Sequence, residues 1–130
     1  MRSPYNPITE DIRSWAFEVG AEEPVQDWDL MLAHVAQDEL YLELASDDAC
    51  PKADYFLALL YLIVGDAVRT VYGERTKDQI ESMLKKGEAR FPKRCIYLWI
   101  QRSKHLLAHP ESFQYDDWCA GLLARKQDEA

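Results

Sequence analysis

Apolar residues recur three or four positions apart along most of the chain, a spacing that predicts helices. The first such run follows Thr9, a residue type favoured at helix N-caps, and stops at Gly20, a residue type favoured at helix ends. The second run follows Pro24, which suits the first position of a helix. The apolar positions of the two runs are Ile12, Trp15, Ala16 and Val19, then Trp28, Met31, Leu32 and Val35.

The most apolar segment of the chain is Tyr55–Val64, which carries no charged residue. A helix that is apolar on every face is expected at the buried centre of a bundle. Pro51 suits the first position of this helix, because it biases the preceding Cys50 away from helical geometry. We therefore predict a buried central helix over Pro51–Tyr72, capped at Gly73. Its apolar run is too short for a bilayer, which requires about 20 residues.

Asp38–Ala45 is ambiguous, because Leu40, Leu42 and Leu44 alternate with other residues as they would in a strand. No second convincing strand is present to pair with it, and an unpaired strand leaves its backbone groups unmatched. We predict a short helix here, with a strand as the alternative.

Later in the chain, Thr76 and Gln79 have the spacing of a capping box, and Gly87 is predicted to end the helix that follows. Pro92 is predicted to open the next helix and Pro110 to stop it. A last helix carries Trp118, Leu122 and Leu123. The pattern as a whole predicts an all-α fold: residues 1–130 form one domain, a compact bundle of about six helices around the central helix.

The charge of the chain is unevenly distributed. The formal net charge is −8, but residues 1–54 hold thirteen acids and three bases, whereas residues 55–130 hold ten acids and twelve bases. The first part therefore carries a net charge of −10 and the remainder +2. A nucleic-acid-binding protein normally presents a dominant basic face, so this distribution argues against nucleic acid as the partner.

No apolar segment of the kind found in secretory signals follows the first residues. The three cysteines, Cys50, Cys95 and Cys119, lie far apart and lack the spacing of metal ligands. We expect a cytoplasmic protein, without a membrane association, whose thiols are free.

Two groups of residues have the chemistry of metal ligands. Asp47, Asp48 and Asp54 are carboxylates, but a proline separates the second from the third, and the start of the central helix explains all three. His105 and His109 lie four apart and would share a helix face, which is half of a zinc site. The other half is missing, so we predict no metal and no cofactor.

Asp66 is unusual because it directly follows the most apolar segment, and a buried carboxylate must be paired. Arg69, three residues further on, is the expected partner in a structural ion pair. A functional acid with a raised pKa is the alternative. No phosphate-binding glycine loop, nucleophile elbow or CxxC motif is present, which favours a non-catalytic protein.

A basic patch, interrupted by Glu88, lies between the fifth and sixth predicted helices. The more ordinary interpretation is a solvated connection between the two helices. The patch could also dock on the acidic half of a second copy, because opposite charges on opposite halves permit head-to-tail association. Its members are Lys85, Lys86, Arg90, Lys93 and Arg94.

The best-supported hypothesis from this profile is an acidic binding protein that engages a basic protein partner, as an immunity protein or inhibitor does when it neutralises a toxin. Its strongest segment surrounds Trp28, a residue type enriched at interface hot spots, although a tryptophan that anchors its helix to the core is the more ordinary interpretation. The predicted partner-binding residues are Glu22, Glu23, Asp27, Trp28, Asp29, Asp47 and Asp48.

Two alternatives stay open. One is a small enzyme or metal-binding protein that uses Asp66 or the His105/His109 pair. The other is a regulatory or scaffold bundle that self-associates, for example as a homodimer.

Overall fold

The computed structural model describes residues 3–127, and within this range the chain forms helices and turns without any strand. A 3₁₀-helix, Pro110–Ser112, precedes the last two α-helices, and every α-helix contributes residues to a core cluster. The predicted all-α bundle is confirmed. The α-helices of the described range are α1 (Thr9–Ala16), α2 (Trp28–Leu32), α3 (Asp38–Ser46), α4 (Ala53–Arg69), α5 (Lys77–Arg90), α6 (Arg94–Ala108), α7 (Tyr115–Trp118) and α8 (Leu122–Arg125).

Helix α4 is the central helix that the apolar run predicted. Ten of its 17 residues are buried, and it packs against α3, α6, α7 and α8. It is shorter than predicted at both ends: Lys52 is its N-cap, and the chain leaves helical geometry after Thr70. Val71 and Tyr72 then have φ angles of 54° and 61°, so the reversal precedes Gly73 rather than occurring at it.

The ambiguous segment Asp38–Ala45 lies in helix α3. All three alternating leucines are buried, because α3 packs against α1, α4, α5 and α6 and so has core contacts on more than one face. A helix that is buried on several sides has no extended polar face, so apolar and polar residues do not alternate with a clear helical period in its sequence. The predicted short helix is confirmed.

The first two helices differ from their predicted bounds. Thr9 is the first helical residue of α1 rather than its N-cap, and its hydroxyl donates to Gln37 Oε1 at 3.0 Å. Helix α1 ends at Ala16, before Gly20, and the Trp15 carbonyl in its last turn accepts a hydrogen bond from Lys52, the N-cap of α4. Helix α2 starts at Trp28, and Pro24 lies in the turns between the two helices.

Two further glycines have roles that differ from the prediction. Gly87 lies inside α5, where an added Cβ would be 3.2 Å from Ile96 Cγ2, so it permits close packing of α5 on α6. Gly121 has a φ of 80° and separates α7 from α8, which divides the last predicted helix in two. The predicted capping box of Thr76 and Gln79 is confirmed, with both hydrogen bonds present at 3.1 and 2.8 Å.

Candidate functional site

Three aromatic side chains from three helices form a cluster next to the first acidic loop. The Trp15 ring centroid lies 4.9 Å from that of Trp28 and 4.9 Å from that of Tyr55, both in edge-to-face geometry. Edge-to-face pairs of this kind add to the stability gained from burial. Trp28 has no exposed surface, so its indole cannot contact a partner as the predicted partner-binding residue would, and the alternative interpretation of Trp28 as an anchor of its helix to the core fits the structure.

The aromatic cluster holds the acidic segment, which we define as residues 22–29. Trp15 Nε1 donates to the Glu22 carbonyl at 2.9 Å, and the Tyr55 hydroxyl donates to Glu23 Oε2 at 2.8 Å. The same Glu23 oxygen accepts from the Asp29 backbone N–H at 3.3 Å. The first two bonds attach the start of the segment to the aromatic cluster, and the third joins the two ends of the segment to each other.

The carboxylates of the acidic segment repel one another. Burial raises the pKa of Asp29, and the nearby charges of Glu23 and Asp27 raise it further. Burial and the hydrogen bond to Glu23 also raise the pKa of Tyr55, so its hydroxyl stays protonated and donating. Asp27 has a φ of 57°, a left-handed conformation that Asp tolerates better than most residues.

None of the four carboxylates of this segment, Glu22, Glu23, Asp27 and Asp29, has an ion-pair partner within residues 3–127. Of the nine remaining acids of residues 1–54, four form ion pairs, and Arg75 Nη2 lies 2.6 Å from Asp38 Oδ1. Five others, Glu10, Asp11, Glu18, Asp47 and Asp54, have no ion-pair partner within residues 3–127. The pairs are Arg13–Glu43, Arg75–Asp38, Arg90–Glu39 and Lys93–Asp48. Tertiary contacts thus neutralise part of the acidic half and leave the acidic segment uncompensated.

The same pairs change the interpretation of the basic patch. Arg90 and Lys93, two of its five members, already contact acids of their own chain. Surface pairs of this kind are weak, but they lower the charge that the patch offers to a second copy.

The residues around Pro51 have structural roles. Lys52 Nζ donates to the Trp15 carbonyl at 2.7 Å and to the Glu18 carbonyl, and it lies 4.4 Å from the centroid of the Trp15 ring. It therefore caps the C-terminal end of α1 from the N-cap of α4. Asp47 accepts from the Ala49 N–H at 2.9 Å, which stabilises the turn before that helix.

The structure places the predicted partner-binding residues in two groups. Glu22, Glu23, Asp27 and Asp29 share the acidic segment, whereas Asp47 lies in the turn after α3 and the neighbouring Asp48 contacts Lys93. Sequence analysis missed Tyr55 and Lys52, because both looked like ordinary members of the start of the central helix. The available signal in the sequence was a polar group, the Tyr55 hydroxyl or the Lys52 ammonium, at the start of an otherwise apolar run.

Asp66 forms the predicted ion pair with Arg69, and its side chain is 14% exposed. Thr70 Oγ1 donates to the Asp66 carbonyl at 2.8 Å. The adjacent Cys119 has its pKa raised to about 11 by burial and by the charge of Asp66, so its thiol is protonated at neutral pH. This arrangement supports the structural interpretation of Asp66 and supplies no activated nucleophile.

The rings of His105 and His109 lie close together, with centroids 4.8 Å apart. His109 is the C-cap of α6, and its Nδ1 lies 3.4 Å from Glu111 Oε1. Within residues 3–127, no group of three or more His, Cys, Asp or Glu side chains could hold a metal ion.

No protein-family model, curated protein or solved structure matches this chain. In the part of the chain that the structure describes, no helix combines the length and apolar character needed to cross a membrane.

Proposed function

We propose that this protein is a non-catalytic binding protein that engages a basic protein partner through the acidic segment, as an immunity protein or inhibitor neutralises a basic toxin. The observation that supports this proposal is the group of uncompensated carboxylates on a segment anchored to the aromatic cluster. A cationic partner would supply the neutralising charge that residues 3–127 do not provide there.

Anchoring matters because a binding surface gains affinity when its groups are already ordered before the partner arrives. The hydrogen bonds from Trp15 and Tyr55 restrain Glu22 and Glu23 in the free protein. Carboxylates on such a surface accelerate encounter with a cationic partner, and salt weakens this attraction.

The contact surface that we propose differs from the one that the sequence suggested. Trp28 supports the segment from inside, while the neighbouring Leu30 is 46% exposed and offers apolar contact beside the carboxylates. Asp48 is largely exposed although it contacts Lys93, so a partner's cation could replace that lysine. The proposed surface is therefore the acidic segment with Leu30, and Asp48 is a secondary contact.

The test compares three forms of the full chain as bait in the source cell's extract. The first is wild type, the second is E22Q/E23Q/D27N, and the third is the control E10Q/E111Q/D116N, which changes the net charge equally at exposed sites outside both proposed surfaces. Gln at position 23 keeps an acceptor for Tyr55, and Asn at position 27 tolerates the left-handed backbone. Each basic protein recovered is then purified and its Kd measured by calorimetry at about 0.05 M and about 0.5 M salt.

The proposal requires a basic partner that binds wild type and the control variant alike. The acidic-segment variant should bind it at least about tenfold more weakly at low salt, and the difference should shrink at high salt. Equal binding by all three forms, or no partner with a basic surface, overturns the proposal.

A further inference from the structure

Helix α5 carries a row of charges of alternating sign beside a groove. Its members follow one another at helical spacings of four, four and three, so they lie on one face of the helix. With Lys104 of α6 they surround a hollow of about 410 Å³ between α5 and α6, whose apolar lining is Leu84, Leu107 and Ala108. We call the row Lys77, Glu81, Lys85 and Glu88 the α5 charge row.

Three of the four charges of this row have no ion-pair partner among residues 3–127. Glu81 and Lys85 lie four residues apart but do not form an ion pair, and neither of them nor Lys77 has an ion-pair partner in the described range. Glu88 makes one long contact, with Lys104 Nζ 3.9 Å from its Oε2. All members of the row are exposed and therefore available to another molecule.

The α5 charge row is complementary to itself when read in the opposite direction. If a second α5 lies antiparallel to the first, Lys77 faces Glu88 of the other copy and Glu81 faces its Lys85. Along the helix, the midpoint between Lys77 and Glu88 and the midpoint between Glu81 and Lys85 both fall close to Met83. A single antiparallel arrangement of two α5 helices therefore forms both pairings. A two-fold axis generates each pairing twice, as an isologous interface requires.

The apolar lining of the groove lies beside the α5 charge row. Leu107 is half-buried and Ala108 is exposed at its edge, so a second copy would remove apolar surface from water while the charges form pairs around it. An apolar centre with a charged rim is the usual anatomy of a protein interface.

We propose that the face formed by α5 and α6 is a two-fold interface between two copies of this chain. Exposed charge pairs contribute little each, so the association is weak and depends on concentration and salt. The interface shares no residue with the acidic segment. Either proposal can therefore fail while the other stands.

The test is a charge exchange followed by sedimentation equilibrium over a wide concentration range. K85E and E81K each place like charges opposite one another across the axis, and E81K/K85E restores opposite charges. K86E is the matched control, because Lys86 is exposed on the same helix but does not line the groove. Circular dichroism of each variant checks that the helices remain folded.

Wild type and K86E should dimerise with the same Kd. K85E and E81K should each weaken dimerisation by on the order of tenfold, and the double variant should recover most of the loss. A wild-type protein that stays monomeric at every concentration overturns the proposal. So does dimerisation that the single exchanges leave unchanged, or that the double exchange fails to restore.

Discussion

An ideal Cβ placed on Gly65 would lie 2.5 Å from the Cβ of Trp118, a distance that non-bonded carbon atoms do not adopt. Gly65 is buried in the second half of α4, on the side of the helix against which α7 packs. The absence of a side chain at Gly65 is what lets Trp118 reach the core, where its ring packs 5.4 Å from that of Tyr61.

The first prediction follows from this contact. Helix propensity alone would make G65A more stable by about 1 kcal/mol. The clash with Trp118 should instead lower the free energy of unfolding by about 1–3 kcal/mol, as overpacking typically does. Urea unfolding followed by circular dichroism measures the change. A stabilised G65A variant would contradict the described packing of α7 on α4.

The second prediction concerns the left-handed turn after α4. Val71 has a φ of 54°, its side chain is 82% exposed, and the next residue's N–H donates to the Ala67 carbonyl at 2.6 Å. A β-branched residue is strained in this conformation, whereas glycine adopts it freely. We expect V71G to raise the free energy of unfolding by up to about 1 kcal/mol.

The matched control for that turn is V19G. Val19 is also 82% exposed but does not have a positive φ. Glycine there only increases the freedom of the unfolded chain, so V19G should be neutral or slightly destabilising. If both variants change stability in the same direction by the same amount, backbone strain at Val71 is not the cause.

The third prediction concerns Lys52, whose ammonium group caps α1. K52M keeps most of the aliphatic chain but removes the charge-assisted hydrogen bonds to the Trp15 and Glu18 carbonyls. We expect a loss of about 1–3 kcal/mol in the free energy of unfolding, with faster amide exchange in α1. K86M, at an exposed site without such bonds, should change stability little. Unchanged exchange in α1 would argue against the cap.

The fourth prediction uses the raised pKa of Asp29. A carboxyl whose pKa is higher in the folded than in the unfolded state binds its proton more tightly when folded, so its ionisation lowers stability as the pH rises through both values. D29N keeps an acceptor for the Leu30 N–H but cannot ionise. It should therefore be more stable than wild type at pH 7.

The difference between D29N and wild type should disappear below the unfolded pKa of about 3.9. Chemical unfolding of both proteins at a series of pH values measures this difference in the free energy of unfolding. A stability difference that stays constant across this range would show that the amide acts through packing or hydrogen bonding, and that Asp29 carries no ionisation cost in the fold.

Much of the fold could be predicted from local sequence because its causes are local. The apolar run Tyr55–Val64 has no polar face to present to water, so it had to be buried, and α4 is the central helix. The capping box of Thr76 and Gln79 and the pair of Asp66 with Arg69 each join residues three positions apart. Helical geometry brings such residues together in any context.

The candidate surface depended on contacts that no local pattern contains. Arg75 meets Asp38 across 37 positions and Lys93 meets Asp48 across 45, and these pairs decide which acids of the first part remain uncompensated. Burial of Trp28 likewise results from its packing against Trp15 of another helix. The sequence alone determined that the fold is helical, which helix is central and where the acidic residues are in excess. Only the tertiary structure decided which carboxylates face outward without a partner, because charges far apart along the chain are paired by packing of the helices that carry them.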